Sequence, residues 1–184
     1  HNIKYNIELL YEYVSKDIDI VGIEPSCILG FKSDFLDLVD EEYKQKAELI
    51  KSNTYIIDEY LTENKIWEKL DYKKPDYNKV IIQPHCHQQS LLGNVHMKEL
   101  LNRFKFDNYE FIDNGCCGMA GSFGYFKDKY KLSIDLAKRN LFPKINNSPD
   151  NSVVIASGIS CREQVIQGTK ATPKHLVEII ADLL

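Results

Sequence analysis

The chain has 184 residues, of which 43% are hydrophobic and 27% are charged, as in an ordinary globular domain or two small halves that share a core. The net charge of −4 argues against a nucleic-acid surface, because phosphate binding needs concentrated Lys and Arg. The hydropathy pattern predicts neither a transmembrane segment, which needs about 20 apolar residues, nor a signal peptide.

The first part of the chain is predicted to be mainly helical, with one short strand. Apolar residues recur at helical spacing over 3–15, and a β-branched run over 18–23 predicts a strand. Ser26 is predicted to cap a helix over 26–39. One or two further helices are expected over 41–64, and residues 73–78 lack periodicity, as expected for a connector.

The second part of the chain alternates predicted strands with predicted helices. Three apolar runs predict strands, at 80–83, 109–112 and 152–156. Residues with helical periodicity predict four helices, at 94–104, 122–140, 160–168 and 175–184. Strands that alternate with helices indicate an α/β fold with a mainly parallel sheet.

The five cysteines share one position relative to the predicted strands. Each lies within a few residues after a strand, at the carboxyl edge where ligands collect in parallel sheets: Cys27, Cys86, Cys116, Cys117 and Cys161. An odd number of cysteines is hard to reconcile with a secreted disulfide scaffold. The simpler expectation is that the thiols are reduced and available to metal in a cytoplasmic protein. A position at the membrane surface is the alternative location.

Two strand-to-helix corners are similar in sequence and predict a degenerate internal repeat. Glu24-Pro25-Ser26-Cys27 and Ser157-Gly158-Ile159-Ser160-Cys161 each begin a predicted helix. We therefore expect two related βα halves, at 1–72 and 79–184. The chain opens on His1 rather than Met, and we expect it to be part of a longer protein.

The run Gly115-Cys116-Cys117-Gly118 points to metal or cluster chemistry. Glycine admits positive φ and leaves amide groups able to donate to sulfur. Together with Cys86 and Cys161, the pair supplies four thiolates, enough for a 4Fe–4S cluster or a tetrahedral zinc ion. Adjacent thiolates fit a cluster more easily, because each sulfur can bind a different iron.

Four motifs occur in this order along the chain: Glu24-Pro25-Ser26-Cys27, His85-Cys86-His87-Gln88, the run from Gly115 to Gly124, and Ser157-Gly158-Ile159-Ser160-Cys161-Arg162. Together they resemble the cysteine-rich CCG domain. That domain occurs in heterodisulfide reductase subunits and in iron–sulfur subunits of glycolate and glycerol-3-phosphate dehydrogenases. The chain also resembles the carboxyl-terminal region of fusion proteins that join an FAD-linked oxidase domain to ferredoxin-type clusters.

The resemblance implies a set of ligands and partners. It assigns Cys86, Cys116, Cys117 and Cys161 to a cluster or metal in a complete second repeat at 79–184. It assigns Cys27 to the end of a truncated first repeat at 1–72. FAD would lie in a part of the protein outside this chain, and a quinone or another acceptor would receive the electrons.

One departure from the family pattern concerns Gly158, which stands where the fuller pattern has the first cysteine of Cys-x-x-Cys. The non-cubane cluster of heterodisulfide enzymes uses that ligand, so its absence argues against this type of cluster.

Five further residues are expected around the ligands: His85, His87, Gly115, Gly118 and Arg162. The histidines would donate to sulfur, act as a fourth ligand or move protons, or else they simply end a strand. Arg162 would balance thiolate charge, bind a substrate carboxylate, or form a plain surface ion pair.

The resemblance implies an electron-transfer domain of a flavin-linked oxidoreductase acting on a 2-hydroxy acid such as D-lactate, glycolate or 2-hydroxyglutarate. We do not expect this chain to turn over alone. One alternative is a structural zinc module that docks the flavin domain to a partner. A third, less favoured, is thiol–disulfide reduction of the heterodisulfide type.

Overall fold

The computed structural model describes residues 2–113 and 115–184. His1 and Asn114, the latter in the loop before the cysteine pair, lie outside the described residues. The strands are β1 Ile20–Gly22, β2 Thr54–Ile56, β3 Lys79–Gln83, β4 Tyr109–Phe111 and β5 Ser152–Ala156. The helices are α1 Asn2–Val14, α2 Pro25–Ile28, α3 Asp34–Leu38, α4 Lys44–Ser52, α5 Ile57–Glu63, α6 Cys86–Leu92, α7 Val95–Arg103, α8 Tyr130–Arg139, α9 Leu141–Asn146, α10 Ile159–Gly168 and α11 Leu176–Leu183.

The strands form two small sheets, and both are parallel. In the first part, β1 pairs with β2, with Ile20 opposite Thr54 and Gly22 opposite Ile56. In the second part, β3 lies between β4 and β5. The prediction of an α/β fold with parallel strands is therefore confirmed.

The three-stranded sheet is buried on both faces. Successive side chains of a strand point to opposite faces, so Val80 and Ile82 face one side and Ile81 the other. The first face packs against α7 and α11, where Leu100 and Ile179 are fully buried. The second packs against α8, α9 and α10 through a cluster whose buried members are Ile81, Ile112, Ala137, Leu141, Phe142, Ile145, Val154 and Val165. Helices on both faces explain why β3 and β5 are continuous apolar runs.

The first part has its own apolar cluster, centred on α1 and α4. Its buried members are Ile7, Val14, Val39, Ala47 and Ile50. Residues 70–78, which include the predicted connector, form neither helix nor strand. Among the described residues, no helix is long and apolar enough to cross a membrane.

The region 41–64 differs from its prediction. It contains two helices, as expected, but β2 lies between them and completes the first sheet. A strand of three residues is too short to show a period of two, so β2 has no signal separate from the helices around it.

The helix predicted to start at Ser26 also differs. Glu24 precedes α2 and Pro25 occupies its first turn, while the Ser26 hydroxyl donates to Glu24 Oε1 at 2.7 Å instead of capping the helix. The segment to Val39 is broken into α2, a short 3₁₀ turn and α3.

In the second part, the helix predicted over 122–140 begins regular α geometry only at Tyr130, after a short 3₁₀ turn. Two short helices, α6 and α9, were not predicted. The first of these, Cys86–Leu92, is followed by Gly93, whose φ of +67° suits glycine.

The buried centre of the three-stranded sheet should dominate the stability of this part. Ile81→Ala removes a fully buried side chain and is expected to lower the free energy of unfolding by about 2–5 kcal/mol. Urea unfolding monitored by circular dichroism measures the change. The control is Ile166→Ala, because Ile166 is 50% exposed and its truncation should cost under about 0.5 kcal/mol. Equal losses in both variants would contradict the assigned core.

Candidate metal centre

Four cysteines follow the three strands of the second sheet. Cys86 lies three residues after β3, the pair Cys116 and Cys117 follows β4, and Cys161 lies in the first turn of α10 after β5. Because the three strands are parallel, all four thiols reach the same carboxyl edge. The structure thus brings together the four residues that the sequence nominated as ligands.

Cys86 and Cys116 face each other across this edge. Their Sγ atoms are 3.9 Å apart. Cys86 is half-buried, and burial, followed by the neighbouring Cys116, raises the pKa of its thiol. Cys116 is exposed, so this side of the site opens to the surface.

Cys117 and Cys161 form the buried side of the site. They are 5% and 2% exposed and pack with Met119 and Ala156. A hydrogen bond from the Cys161 thiol lowers the pKa of Cys117 to about 6, against the opposing effect of burial. The same pairing, with burial, raises the pKa of Cys161 well above its usual value. The two thiols therefore shift in opposite directions, and the nearby Cys86 and Cys116 also contribute to the raised pKa of Cys161.

Backbone amides donate to the sulfurs of the cysteine pair. The Gly118 N–H lies 3.3 Å from Cys116 Sγ, and the Met119 N–H lies 3.5 Å from Cys117 Sγ. Gly118 has a φ of +73°, and a Cβ there would lie 2.8 Å from Leu136 Cδ1. The glycine is thus required by both conformation and space, as the sequence suggested. Gly115, also expected near the ligands, has a φ of +59° and is exposed.

Two buried polar residues, which were not predicted from the sequence, fix the backbone of the loop that contains Cys116 and Cys117. The Ser133 hydroxyl of α8 donates to the Cys117 carbonyl at 2.9 Å. The Gln164 amide of α10 donates to the same carbonyl and to the Ser133 carbonyl. Both residues are fully buried, but a single polar residue in a helix gives no sequence signal that separates this role from an exposed position.

His85 lies against Gly158. A Cβ at position 158 would overlap His85 Cδ2 and would lie 3.1 Å from His85 Nε2 and 3.4 Å from Cys161 Sγ. The imidazole therefore fills the space that a side chain at position 158 would need. Its Nδ1 is buried and has no hydrogen-bond partner among the described residues, and burial lowers the pKa of the ring. His87 is half-buried on α6.

Arg162 does not form the surface ion pair that was one of its expected roles. Its Nη1 donates to the carbonyls of Ala156 and Ser157 at 2.8 and 2.7 Å. No ion pair of Arg162 occurs within residues 2–113 and 115–184. The guanidinium instead fixes the end of β5 where the chain turns towards Cys161.

Cys27 is exposed on α2. Among the described residues, its thiol makes no hydrogen bond, either with the four grouped thiols or with the backbone. Its corner nevertheless contacts the other predicted corner, because Glu24 Oε2 accepts a hydrogen bond of 2.9 Å from the Ile159 N–H. The two similar sequence corners therefore meet in space.

The donor set fits a thiolate-bound metal centre. Four thiols at one edge would be closely spaced negative charges as thiolates, and a metal ion would neutralise those charges as it displaces the protons. Two sulfurs bound to one tetrahedral zinc at about 2.3 Å each would lie about 3.8 Å apart, close to the spacing of Cys86 and Cys116. Amide donors to sulfur suit either zinc or an iron–sulfur cluster.

Comparison with known proteins identifies relatives among dehydrogenases. The chain is 24% identical over 185 residues to a subunit of the anaerobic glycerol-3-phosphate dehydrogenase of Escherichia coli (strain K12), covering 97% of this chain and 44% of the relative. It is 26% identical over 182 residues to D-2-hydroxyglutarate dehydrogenase of Haemophilus influenzae, covering 96% of this chain and 17% of the relative. The corresponding E. coli (strain K12) enzyme is 22% identical over 187 residues.

The chain spans less than half of the length of these relatives. No family model matches it, and no solved structure is significantly similar to it. The comparisons thus show homology to dehydrogenases and to a dehydrogenase subunit.

The contact between His85 and Gly158 predicts a specific double-mutant result. Gly158→Ala should lower the free energy of unfolding by about 1–3 kcal/mol, because the new Cβ displaces the imidazole. His85→Ala in the same chain should remove most of this cost, as urea unfolding of the four variants would measure. Gly30→Ala is the control, since a Cβ there meets only Asp34 Oδ2 at 3.7 Å. An unchanged cost in the His85→Ala background would contradict the contact.

Proposed function

We propose that the chain is an iron–sulfur electron-transfer domain of a flavin-linked oxidoreductase that oxidises a 2-hydroxy acid. The observation that supports it most is the convergence of four thiols from three parallel strands at one sheet edge. The names of the relatives, which are dehydrogenases of a 2-hydroxy acid and of glycerol-3-phosphate, support the reaction class.

In this proposal the cluster ligands are Cys86, Cys116, Cys117 and Cys161. A 4Fe–4S cluster there would accept and release single electrons. The amide groups of Gly118 and Met119 that donate to sulfur would stabilise the more negative, reduced state and so raise the reduction potential. The open side at Cys116 offers a route for electrons, while the buried side at Cys117 and Cys161 keeps water from half of the site.

The remaining chemistry belongs to parts of a larger protein. A flavin domain outside this chain would take a hydride from the substrate carbon as the hydroxyl proton leaves, giving a 2-oxo acid. The two electrons would then leave one at a time, through ferredoxin-type clusters and this domain, to a quinone or another acceptor. The coverage of the relatives is consistent with such a larger protein. We also propose that 1–72 and 79–184 are a truncated and a complete CCG-type repeat, since their corners meet at Glu24 and Ile159.

A structural zinc module is the second candidate, and one observation favours it. The 3.9 Å between Cys86 Sγ and Cys116 Sγ is close to the spacing of two thiolates on one tetrahedral zinc ion. Thiolates of a four-iron cluster each bind a different iron and lie further apart. Thiol–disulfide reduction is less favoured, because Cys117 and Cys161 are buried away from any disulfide substrate.

Anaerobic purification followed by metal analysis separates the two candidates. The electron-transfer proposal predicts about four iron and four acid-labile sulfide per chain, with visible absorption that bleaches on reduction. One zinc per chain and no colour, persisting after anaerobic reconstitution with iron and sulfide, would overturn it in favour of the zinc module.

Substitution of single cysteines tests which residues bind the metal. Cys116→Ser and Cys161→Ser are expected to lose most of the bound iron, or zinc, because each removes one of four thiolates. Cys27→Ser is the matched control and should bind as much metal as the unmodified chain, since the Cys27 thiol is exposed and makes no sulfur contact with the group among the described residues. Metal loss in Cys27→Ser comparable to that in Cys161→Ser would contradict the proposed ligand set.

A further inference from the structure

A buried polar pair joins the first part of the chain to the helix of Cys86. Asp58 lies in the first turn of α5 and Gln88 lies in the first turn of α6. They are only 3% and 4% exposed, and Gln88 Nε2 lies 2.6 Å from Asp58 Oδ2. A carboxyl group and an amide so far from water need partners for all of their polar atoms.

Two oxygen atoms of this pair are unsatisfied. Asp58 Oδ1 and Gln88 Oε1 are both buried and have no hydrogen-bond partner among the described residues. An ionised carboxylate only accepts hydrogen bonds, so it can satisfy the Gln88 N–H but not Gln88 Oε1. A protonated carboxyl can do both, because its O–H donates to the amide oxygen while its other oxygen accepts from the amide nitrogen. One proton therefore satisfies both atoms at once.

We propose that Asp58 is a positioning residue whose neutral carboxyl group pairs with the Gln88 amide through two hydrogen bonds and thereby fixes α6 and Cys86. Gln88 is two residues from Cys86, and the first turn of α6 is closed by the Gln89 N–H, which donates to the His85 carbonyl at 2.8 Å. Movement of this turn would shift Cys86 Sγ relative to Cys116 Sγ. The effect on metal binding rests on the proposed function, whereas the pairing itself does not.

Burial, rather than any neighbouring charge, shifts the Asp58 carboxyl towards its neutral form. Burial raises the pKa of the carboxyl, and this effect exceeds the lowering by the Gln88 hydrogen bond, by nearby backbone amides and by His96 of α7. The imidazole of His96 is itself bonded to the Thr62 hydroxyl at 2.8 Å. Glu59, the next residue of α5, pairs with Lys32 at 2.6 Å, so this cation is already matched by another carboxylate.

The first test is the pH dependence of unfolding in the metal-free chain, for which Asp58→Asn is the informative variant. Asparagine has the shape of the neutral acid and can form the same two hydrogen bonds, but it does not titrate. Above the ordinary carboxyl pKa of 3.8, the unfolded chain loses a proton that the folded chain keeps. We therefore consider the folding equilibrium constant of the unmodified chain divided by that of Asp58→Asn. This ratio should fall by up to about tenfold per pH unit as the pH rises, until the carboxyl of the folded chain ionises.

The other results of this test would overturn the proposal. A ratio that does not change between about pH 4 and about pH 8 would mean that the carboxyl titrates normally in the fold. A ratio that rises with pH would mean that the folded state prefers the carboxylate. A protonated-acid carbonyl band in the infrared difference between the two chains at about pH 5, measured while both are folded, should accompany the expected fall, and its absence would also contradict the pair.

The second test uses Co²⁺ binding without oxygen, followed by its thiolate charge-transfer absorption. Gln88→Met removes both hydrogen bonds and should weaken Co²⁺ binding by about tenfold or more, while Asp58→Asn should retain it. Gln89→Met, at an exposed position of the same helix, is the matched control and should bind as the unmodified chain does. Unchanged binding by Gln88→Met would overturn the positioning role. If the unmodified chain binds neither Co²⁺ nor iron, the proposed function fails, and the pH dependence still decides the pair.

Discussion

The parallel arrangement of β4, β3 and β5 is the constraint on which the site depends. Parallel strands all end at the same edge of the sheet. Residues as distant in sequence as Cys86 and Cys161, which are 75 positions apart, are therefore brought to one place. The sheet is held by apolar side chains on both faces. Burial of those side chains therefore stabilises not only the fold but also the mutual position of four thiols that would otherwise repel one another as thiolates.

The sequence was most informative where one physical signal dominated. The apolar runs of β3 and β5 are buried on both faces, and both strands were predicted correctly from them. The positions of Cys86 and Cys161 after the carboxyl ends of these strands followed from the same runs. The short elements β2 and α6 were not predicted, because they are stabilised by their neighbours rather than by their own periodicity. The grouping of the thiols follows from topology, but the opposite pKa shifts of Cys117 and Cys161 depend first on the contact between the two side chains, which a sequence does not give.

The polar residues around the thiols were the least predictable part of the site. Ser133 and Gln164 converge on the carbonyl of Cys117 from two different helices, and only the packing of α8 against α10 brings them together. The same holds for His85, whose ring occupies the space over Gly158. From the sequence, Gly158 was interpreted only as the absence of a cysteine that the resembled pattern has at this position. In the fold, the absence of a side chain at Gly158 also leaves the space that the imidazole of His85 occupies.

The first part of the chain contacts the second at places that matter for the thiols. Asp58 reaches the first turn of α6, and Glu24 accepts a hydrogen bond from Ile159, the first residue of α10. These two helices begin immediately after β3 and β5, and each includes one of the grouped cysteines. The positions of the thiols depend on the backbone that bears them, so contacts at the first turns of these two helices restrain Cys86 and Cys161. The first part of the chain therefore contacts both of these helices where they begin, through the buried Asp58 at one and through Glu24 at the other.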